Sequence, residues 1–339
     1  MKMLEYSKAY TLAGPFYSGI GHILMFHRIS PENEAKKPNL IKGTELTPER
    51  LENIIKFYLG HNYGIISLDQ LSAILQRQNG SKKYVVFTFD DGYADNLIYA
   101  YPIFKKYNAP FTIYVTTGFI DRQAMMWWYS LSDFISNNNR MRFDLDNKTF
   151  EFDCSTNPAK EAAFINVRSL IMDCSENECL DRIKKIFNQC KIDLYEKTDE
   201  LALTWSQVKE LSRDPLVTIG AHTVNHYLLN KLSPAAVKRE MSESKMRLES
   251  MLNRDIKHFS YPFGGKGEIG IREYELAGEC GFATATTTKP ANIFLDDAKY
   301  LMNLPRYGIS EDINAQKLKF LTSGLTHCIQ NRFKKVVTL

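Results

Sequence analysis

Residues 84–93 read YVVFTFDDGY. A run of strand-forming, mostly apolar residues stops at two adjacent aspartates and a glycine. Neighbouring carboxylates repel each other, and burying them is costly unless positive charge compensates. A metal ion is the simplest compensation. The stretch therefore predicts a buried strand whose far end carries chemistry, and it directs the search for further ligands to the ends of other strands.

Several other short apolar segments read as buried strands: HILMF at 22–26, YGIIS at 63–67, PFTIYV at 110–115, LVTIGA at 216–221, KHFSY at 257–261, FATATT at 282–287 and YLMNLP at 300–305. Helical patterns lie between many of them. TPERLENIIKFYLG places apolar residues at 51, 54, 55 and 58 behind Pro48. SPAAVKREMSESKMRLESML opens on Ser233 as N-cap and Pro234 at the first helical position, with a stripe through Val237, Met241, Leu248 and Leu252. Alternating strand and helix predicts a parallel α/β architecture, and seven or eight such units favour a barrel over an open sheet.

The rhythm breaks at 121–205, which reads as a helical insertion over one barrel end. It holds Trp127 and Trp128, the polar stretch SNNNRMRFDLDNK, and helix-like segments near 159–173 and 177–189. It ends at LTWSQVKELS, where Thr204 and Gln207 have capping-box spacing. The tryptophan pair is a candidate sugar platform, since flat apolar rings suit sugar faces. The favoured reading is an anchor for the insertion, because tryptophan is usually largely buried. The domain expectation is one barrel over 1–339, with the insertion at about 121–205 and a helical tail at about 312–335.

Composition narrows the classes. The chain has 339 residues, 44% of them apolar, and a formal charge of +4. That suits a globular protein and shows no basic block of a nucleic-acid arm. Residues 1–25 show no uninterrupted apolar signal core, and no apolar run approaches the roughly 18 residues of a spanning helix. The expectation is a cytoplasmic protein without a transmembrane segment, with peripheral membrane contact left open. The six cysteines form no CxxC pair and are expected to be reduced.

The second chemical signal is GAHTVNH at 220–226. His222 and His226 stand four apart after a strand. A helical turn there would put both imidazoles on one face. The zinc-protease motif HExxH shares the spacing, but Thr223 occupies its glutamate position. Two histidines and one carboxylate make a metal site with open positions, as hydrolytic metals require. Only one aspartate of the pair needs to bind. The other is then free to take a proton from an attacking water. Ionisable residues recur at predicted strand ends: His27, Asp90, Asp91, His222 and Arg306.

These motifs, TFDDG at 88–92, HTVNH at 222–226 and YPFG at 261–264, resemble those of the polysaccharide deacetylases, the NodB-homology or carbohydrate esterase family 4 enzymes. The resemblance extends over most of 20–310 outside the insertion. It implies a distorted (β/α) barrel of about seven strands. It also implies a divalent metal, zinc first with Co2+, Ni2+ or Mn2+ as alternatives, on Asp91, His222 and His226. Asp90 would be the general base, and the Tyr93 N–H would help hold the oxyanion. The reaction would remove N-acetyl groups from an amino sugar, such as N-acetylglucosamine, of a bacterial surface polysaccharide or its precursor. Tyr261, Pro262 and Phe263 of the third motif, with Trp127 and Trp128, are candidate substrate contacts.

Two departures stand out. Many family members carry arginine where this chain has Ser260, leaving vacant the role of steadying the catalytic aspartate. Arg306 is the candidate to fill it. The usual LxH motif is matched in letters only by LTH at 325–327, in a helix-like tail. LMFHRIS at 24–30 resembles the opening of the branch that makes partially deacetylated poly-N-acetylglucosamine. His27 is therefore the expected general acid and His327 the runner-up. An amidohydrolase of a small non-sugar amide and a sugar-binding relic without turnover are the competing readings.

Overall fold

The computed structural model describes residues 10–31, 40, 41, 43–80, 82–173 and 176–336. Its strands, in chain order, are β1 (Gly21–Phe26), β2 (Arg28–Ile29), β3 (Glu45–Leu46), β4 (Gly64–Ile65), β5 (Tyr84–Phe89), β6 (Phe111–Val115), β7 (Arg140–Leu145), β8 (Lys148–Asp153), β9 (Val217–Ala221), β10 (His258–Ser260), β11 (Thr284–Thr286) and β12 (Tyr307–Gly308). The main sheet runs β11-β10-β9-β6-β5-β1-β12, with β4 beside the start of β5. Every pairing in it is parallel. Leu304, just before β12, bridges Thr286 at the end of β11. That contact joins the two edges of the sheet, so the fold is a distorted (β/α) barrel.

Side chains alternate along each strand, and the alternation decides which residues reach the barrel interior. In β5, Val85, Phe87 and Phe89 pack outward under the helices, against Phe104 and Phe111 among others. Val86, Thr88 and then Asp90 face inward; the Thr88 and Asp90 side chains share one buried arginine. Gly220 in β9 is fixed by the same interior. A Cβ there would lie 2.5 Å from the Tyr114 ring, which fills the barrel centre.

The two helices with clear caps form as their sequences predict. Pro48–Gly60 is capped by Thr47, and Pro234–Leu252 by Ser233. Thr204 and Gln207 complete a reciprocal capping box at the start of Trp205–Ser212. One predicted strand is absent: 300–303 belongs to a 3-10 helix, Leu295–Asn303. Tyr300 (φ −133°, ψ 41°) breaks this helical segment in two, and Leu295, Ala298 and Leu301 from its two parts pack on the core at the barrel base. The strand begins only at Tyr307.

The segment 121–205 contains helices Trp127–Asn137, Asn157–Met172 and Glu176–Cys190. It also contains an antiparallel hairpin, β7–β8, that the sequence reading missed. The turn residues Asp146 and Asn147 have φ of 52° and 60°, the geometry of a tight hairpin turn. Met141, Phe143 and Leu145 face a separate apolar core with Leu131, Val167 and Ile186. Half the residues of β7 are polar because only one face is buried, so the strand looks like a loop in the sequence. Among the described residues, no helix is long and apolar enough to cross a membrane.

Candidate active site

The site lies where β1, β5, β9, β10 and β11 end, with Arg306 reaching it from just before β12. His27 follows Ile23 and Met25 at the strand period, and it lines the same cleft as Asp90, Asp91, His222 and His226. Neighbouring polar groups hold its segment. Asn96 Nδ2 donates to the His27 carbonyl (2.8 Å), while Asp95 accepts from Arg28 Nε (2.8 Å) and the Ile29 N–H (3.1 Å). Burial pushes the Asp95 carboxyl up to about 6, against the pull of Arg28.

Asp90 is buried and paired to Arg306, which is fully buried. The two terminal guanidinium nitrogens each donate to the carboxylate at 2.7 Å. The same guanidinium donates to Ser260 Oγ (2.8 Å), Thr88 Oγ1 (3.0 Å) and the Thr287 carbonyl (3.0 Å). Burial would raise the Asp90 carboxyl, but Arg306, with His222, holds it below the usual range. Arg306 thus sits on the aspartate for which the sequence offered it as partner, and Ser260 leaves the room it needs.

Asp91 departs from the strand. Alternation would turn it outward, but its φ of 73° carries the carboxylate back over the barrel mouth. Its Oδ1 lies 3.4 Å from His222 Nε2 and 3.2 Å from His226 Nε2. The two histidines are not on a helix. Thr223 and His226 have φ of 64° and 58°, so a left-handed turn, not a helical face, brings the imidazoles together. Buried Glu240 braces this turn, accepting from the N–H groups of Val224 (3.0 Å) and Asn225 (2.8 Å).

The donor set fits a divalent ion. One ligand atom from each of Asp91, His222 and His226 lies within 4.8 Å of the others. His222 Nδ1 is 2.7 Å from the Ser260 carbonyl, which places the proton there and leaves the Nε2 lone pair directed at the cluster. Buried Asp91 Oδ1 has no hydrogen-bond partner, the signature of an atom that needs another. Burial would raise the Asp91 carboxyl, but His226 and His222 hold it well below its usual range. Burial lowers His222, yet Asp90 and Asp91 raise it overall, whereas burial keeps His226 low.

The candidate substrate contacts divide. Trp127 is buried in the insertion's core and, with Trp128, lines the cleft, so the pair both anchors and borders. The Trp128 ring stands 5.3 Å from that of His226, and Phe263 4.9 Å. Tyr261 corrects the expectation. It faces outward with Phe259, fully buried, and its hydroxyl donates to the Met302 carbonyl (2.9 Å). Tyr261 and Pro262 are not among the cleft-lining side chains, whereas Phe263 is. Tyr93 is buried beside Tyr129 and lines the cleft floor. His327 lies in helix Leu325–Gln330, and its side chain is outside the described residues.

Sequence reasoning missed Asp95, Asn96 and Glu240. Their signal was present: polar residues at inward positions of helices, within a turn of DDG or on the face of the helix after HTVNH.

A barrel with these groups at its C-terminal mouth presents a donor set for a divalent ion beside a second, arginine-paired carboxylate. A family model described as polysaccharide deacetylase matches residues 77–279, and the chain belongs to this family. The match includes Asp90, Asp91, His222 and His226 and leaves His27 and Arg306 outside. The chain is 23% identical over 285 residues to a Bacillus subtilis (strain 168) protein named "Putative polysaccharide deacetylase YxkH", covering 84% of this chain and 70% of that one. Among solved structures, the Streptococcus pyogenes deacetylase PplD in complex with acetate aligns with a TM-score of 0.58 at 22% identity, covering 88% of this chain and 95% of that one. IcaB from Ammonifex degensii aligns with a TM-score of 0.56 at 15% identity, covering 90% and 97%. These two likenesses are likenesses of fold.

Proposed function

We propose that this polysaccharide deacetylase is a metal-dependent hydrolase that removes N-acetyl groups from an amino sugar, such as N-acetylglucosamine, of a glycan or glycan precursor. The observation that carries the reading is the juxtaposition of Asp91, His222 and His226 with a separate carboxylate, Asp90, held by Arg306. Zn2+, or another divalent ion on the three ligands, would supply Lewis-acid activation of water and of the acetyl carbonyl. Asp90, ionised and fixed in orientation by Arg306, takes a proton from the attacking water. The Tyr93 N–H stabilises the oxygen that becomes negative as the carbonyl turns tetrahedral. His27 delivers a proton to the leaving nitrogen, because an amine anion is too poor a leaving group. Trp128 and Phe263 offer apolar faces to the sugar ring. The segment 121–205 serves as an insertion that walls the cleft on a single barrel.

The test is acetate release from N-acetylglucosamine oligomers, followed by mass spectrometry. Purified protein should contain about one divalent ion per chain, lose activity on chelation, and regain it on metal return. A protein with its metal removed and unchanged turnover would overturn the metal reading. Release of acetate from small non-sugar amides alone would overturn the substrate class.

A further inference from the structure

Arg168, on insertion helix Asn157–Met172, faces into the catalytic cleft beside Trp128, Phe263 and Thr288. Its guanidinium carbon lies 5.7 Å from the centre of the Phe263 ring. The two other arginines near the site are both committed, Arg306 to Asp90 and Arg28 to Asp95 and Glu45. Arg168 makes no ion pair among the described residues. Glu268 acts on it only through its field, and that carboxylate already accepts the Gly265 N–H (2.9 Å). Arg168 is half-buried, so the cation has lost part of its water, and that burial weakens its hold on its proton. A guanidinium resting on an aromatic ring with its edge free is a fork for carboxylate or phosphate oxygens.

We infer that Arg168 is a specificity-determining residue that binds an anionic group of the substrate, a phosphate or a carboxylate, while the acetamido group lies at Asp91, His222 and His226. The inference rests on the proposed deacetylase reading and narrows it to an anionic amino-sugar glycan. Deacetylation itself needs no such cation, because Asp90 has Arg306. The charge lies on the insertion, next to the Trp128 and Phe263 rings, where it meets the part of the substrate beyond the acetyl group.

Three substrates separate the sources of negative charge: a neutral N-acetylglucosamine oligomer, N-acetylglucosamine 1-phosphate, and an oligosaccharide carrying a uronic acid next to N-acetylglucosamine. Acetate release is measured for the wild type, Arg168→Gln and Arg168→Lys. Loss of a charge-assisted bidentate contact should lower kcat/KM for at least one anionic substrate about 10- to 100-fold in Arg168→Gln, mainly through KM. The loss on the neutral oligomer should be several-fold smaller, and Arg168→Lys should recover part of it. Equal losses on all three substrates, or none on any, overturn the inference. Inorganic phosphate binding, followed by phosphorus NMR titration, gives an answer independent of turnover. Wild type should bind phosphate at least several-fold more tightly than Arg168→Gln, and equal binding overturns the anion site. A wild type that binds phosphate through Arg168 but releases no acetate from any substrate would sink the deacetylase reading and leave the anion site standing.

Discussion

Asp90 and Arg306 carry opposite charges out of water, and each makes the other tolerable. Removing one partner of a buried pair leaves an uncompensated charge, which costs about 3–5 kcal/mol. Arg306→Met should therefore destabilise the fold by that order. The Asp90→Asn/Arg306→Met double variant should lose less than the sum of the singles, as a denaturation cycle would show. Additive losses would mean the carboxylate finds water instead. Asp90→Asn alone should keep the metal and lower the rate about 10²–10⁴-fold, whereas Asp91→Asn should weaken metal binding; exchanged phenotypes would reverse the two roles. The acid is separable by leaving group. His27→Ala should lose most amide hydrolysis and much less hydrolysis of an activated aryl acetate, because a phenolate departs unprotonated. His327→Ala should be near neutral in both, since its helix packs beside Tyr10–Tyr17, which leads into the start of β1, at the end opposite the mouth. A crippled His327→Ala with an active His27→Ala would transfer the acid role to the tail.

At the scale of elements, the strand ends position the chemistry and the turns aim it. Glu240 shows how: its carboxylate on helix Pro234–Leu252 takes two N–H groups and the Asn225 amide (2.6 Å) of the turn between the histidines. Glu240→Gln keeps the shape but replaces an acceptor-only group with one that is half donor. The turn should loosen and metal affinity fall about 10- to 100-fold, measured by competition with a chelator, while circular dichroism stays that of the folded barrel. Unchanged affinity would show that the left-handed turn holds itself. Most of the strands were legible because parallel strands buried on both faces leave unbroken apolar runs. The convergence of His27, Asp90 and His222 was legible for the same reason, since the residue after each strand run projects into the mouth, whereas Arg306 reaches Asp90 from just before β12. What stayed hidden depends on φ or on one-sided burial. Asp91 and the HTVNH turn use left-handed backbone that nothing in the letters announces, and β7 buries only alternate residues. Tyr261 was readable in principle: counting by twos from Phe259 already sends it outward.

Across the whole molecule the two barrel ends do different work, and the base carries titratable groups that the mouth does not use. His22, outward at the start of β1, is caged by Tyr58, Tyr63 and Tyr307, and neither ring nitrogen has a hydrogen-bond partner. Burial, with Lys83 nearby, lowers its pKa to about 3 from 6.5. Asp297, in the 3-10 helix sealing the base, is raised by burial to about 7 from 3.8, although it accepts the Phe294 N–H (2.7 Å). The two act on stability with opposite sign. Below pH 6.5 the unfolded chain protonates His22 while the folded chain resists until about 3, so the His22 contribution is full above 6.5 and lost as pH falls. Above 3.8 the unfolded chain ionises Asp297 while the folded chain keeps its proton to about 7, so that contribution is lost as pH rises. Between about pH 4 and 6 the slopes nearly cancel, each being about 1.4 kcal/mol per pH unit. Removing either group should expose the other. Relative to wild type, His22→Phe should lose about 1.4 kcal/mol of unfolding free energy for each unit that pH rises across this window, and Asp297→Asn should gain as much. Urea denaturation of the three proteins at pH 4.5, 5.0 and 5.5 measures both slopes. Parallel stability curves would mean that water reaches both groups and that the base of the barrel is not as dry as its packing indicates.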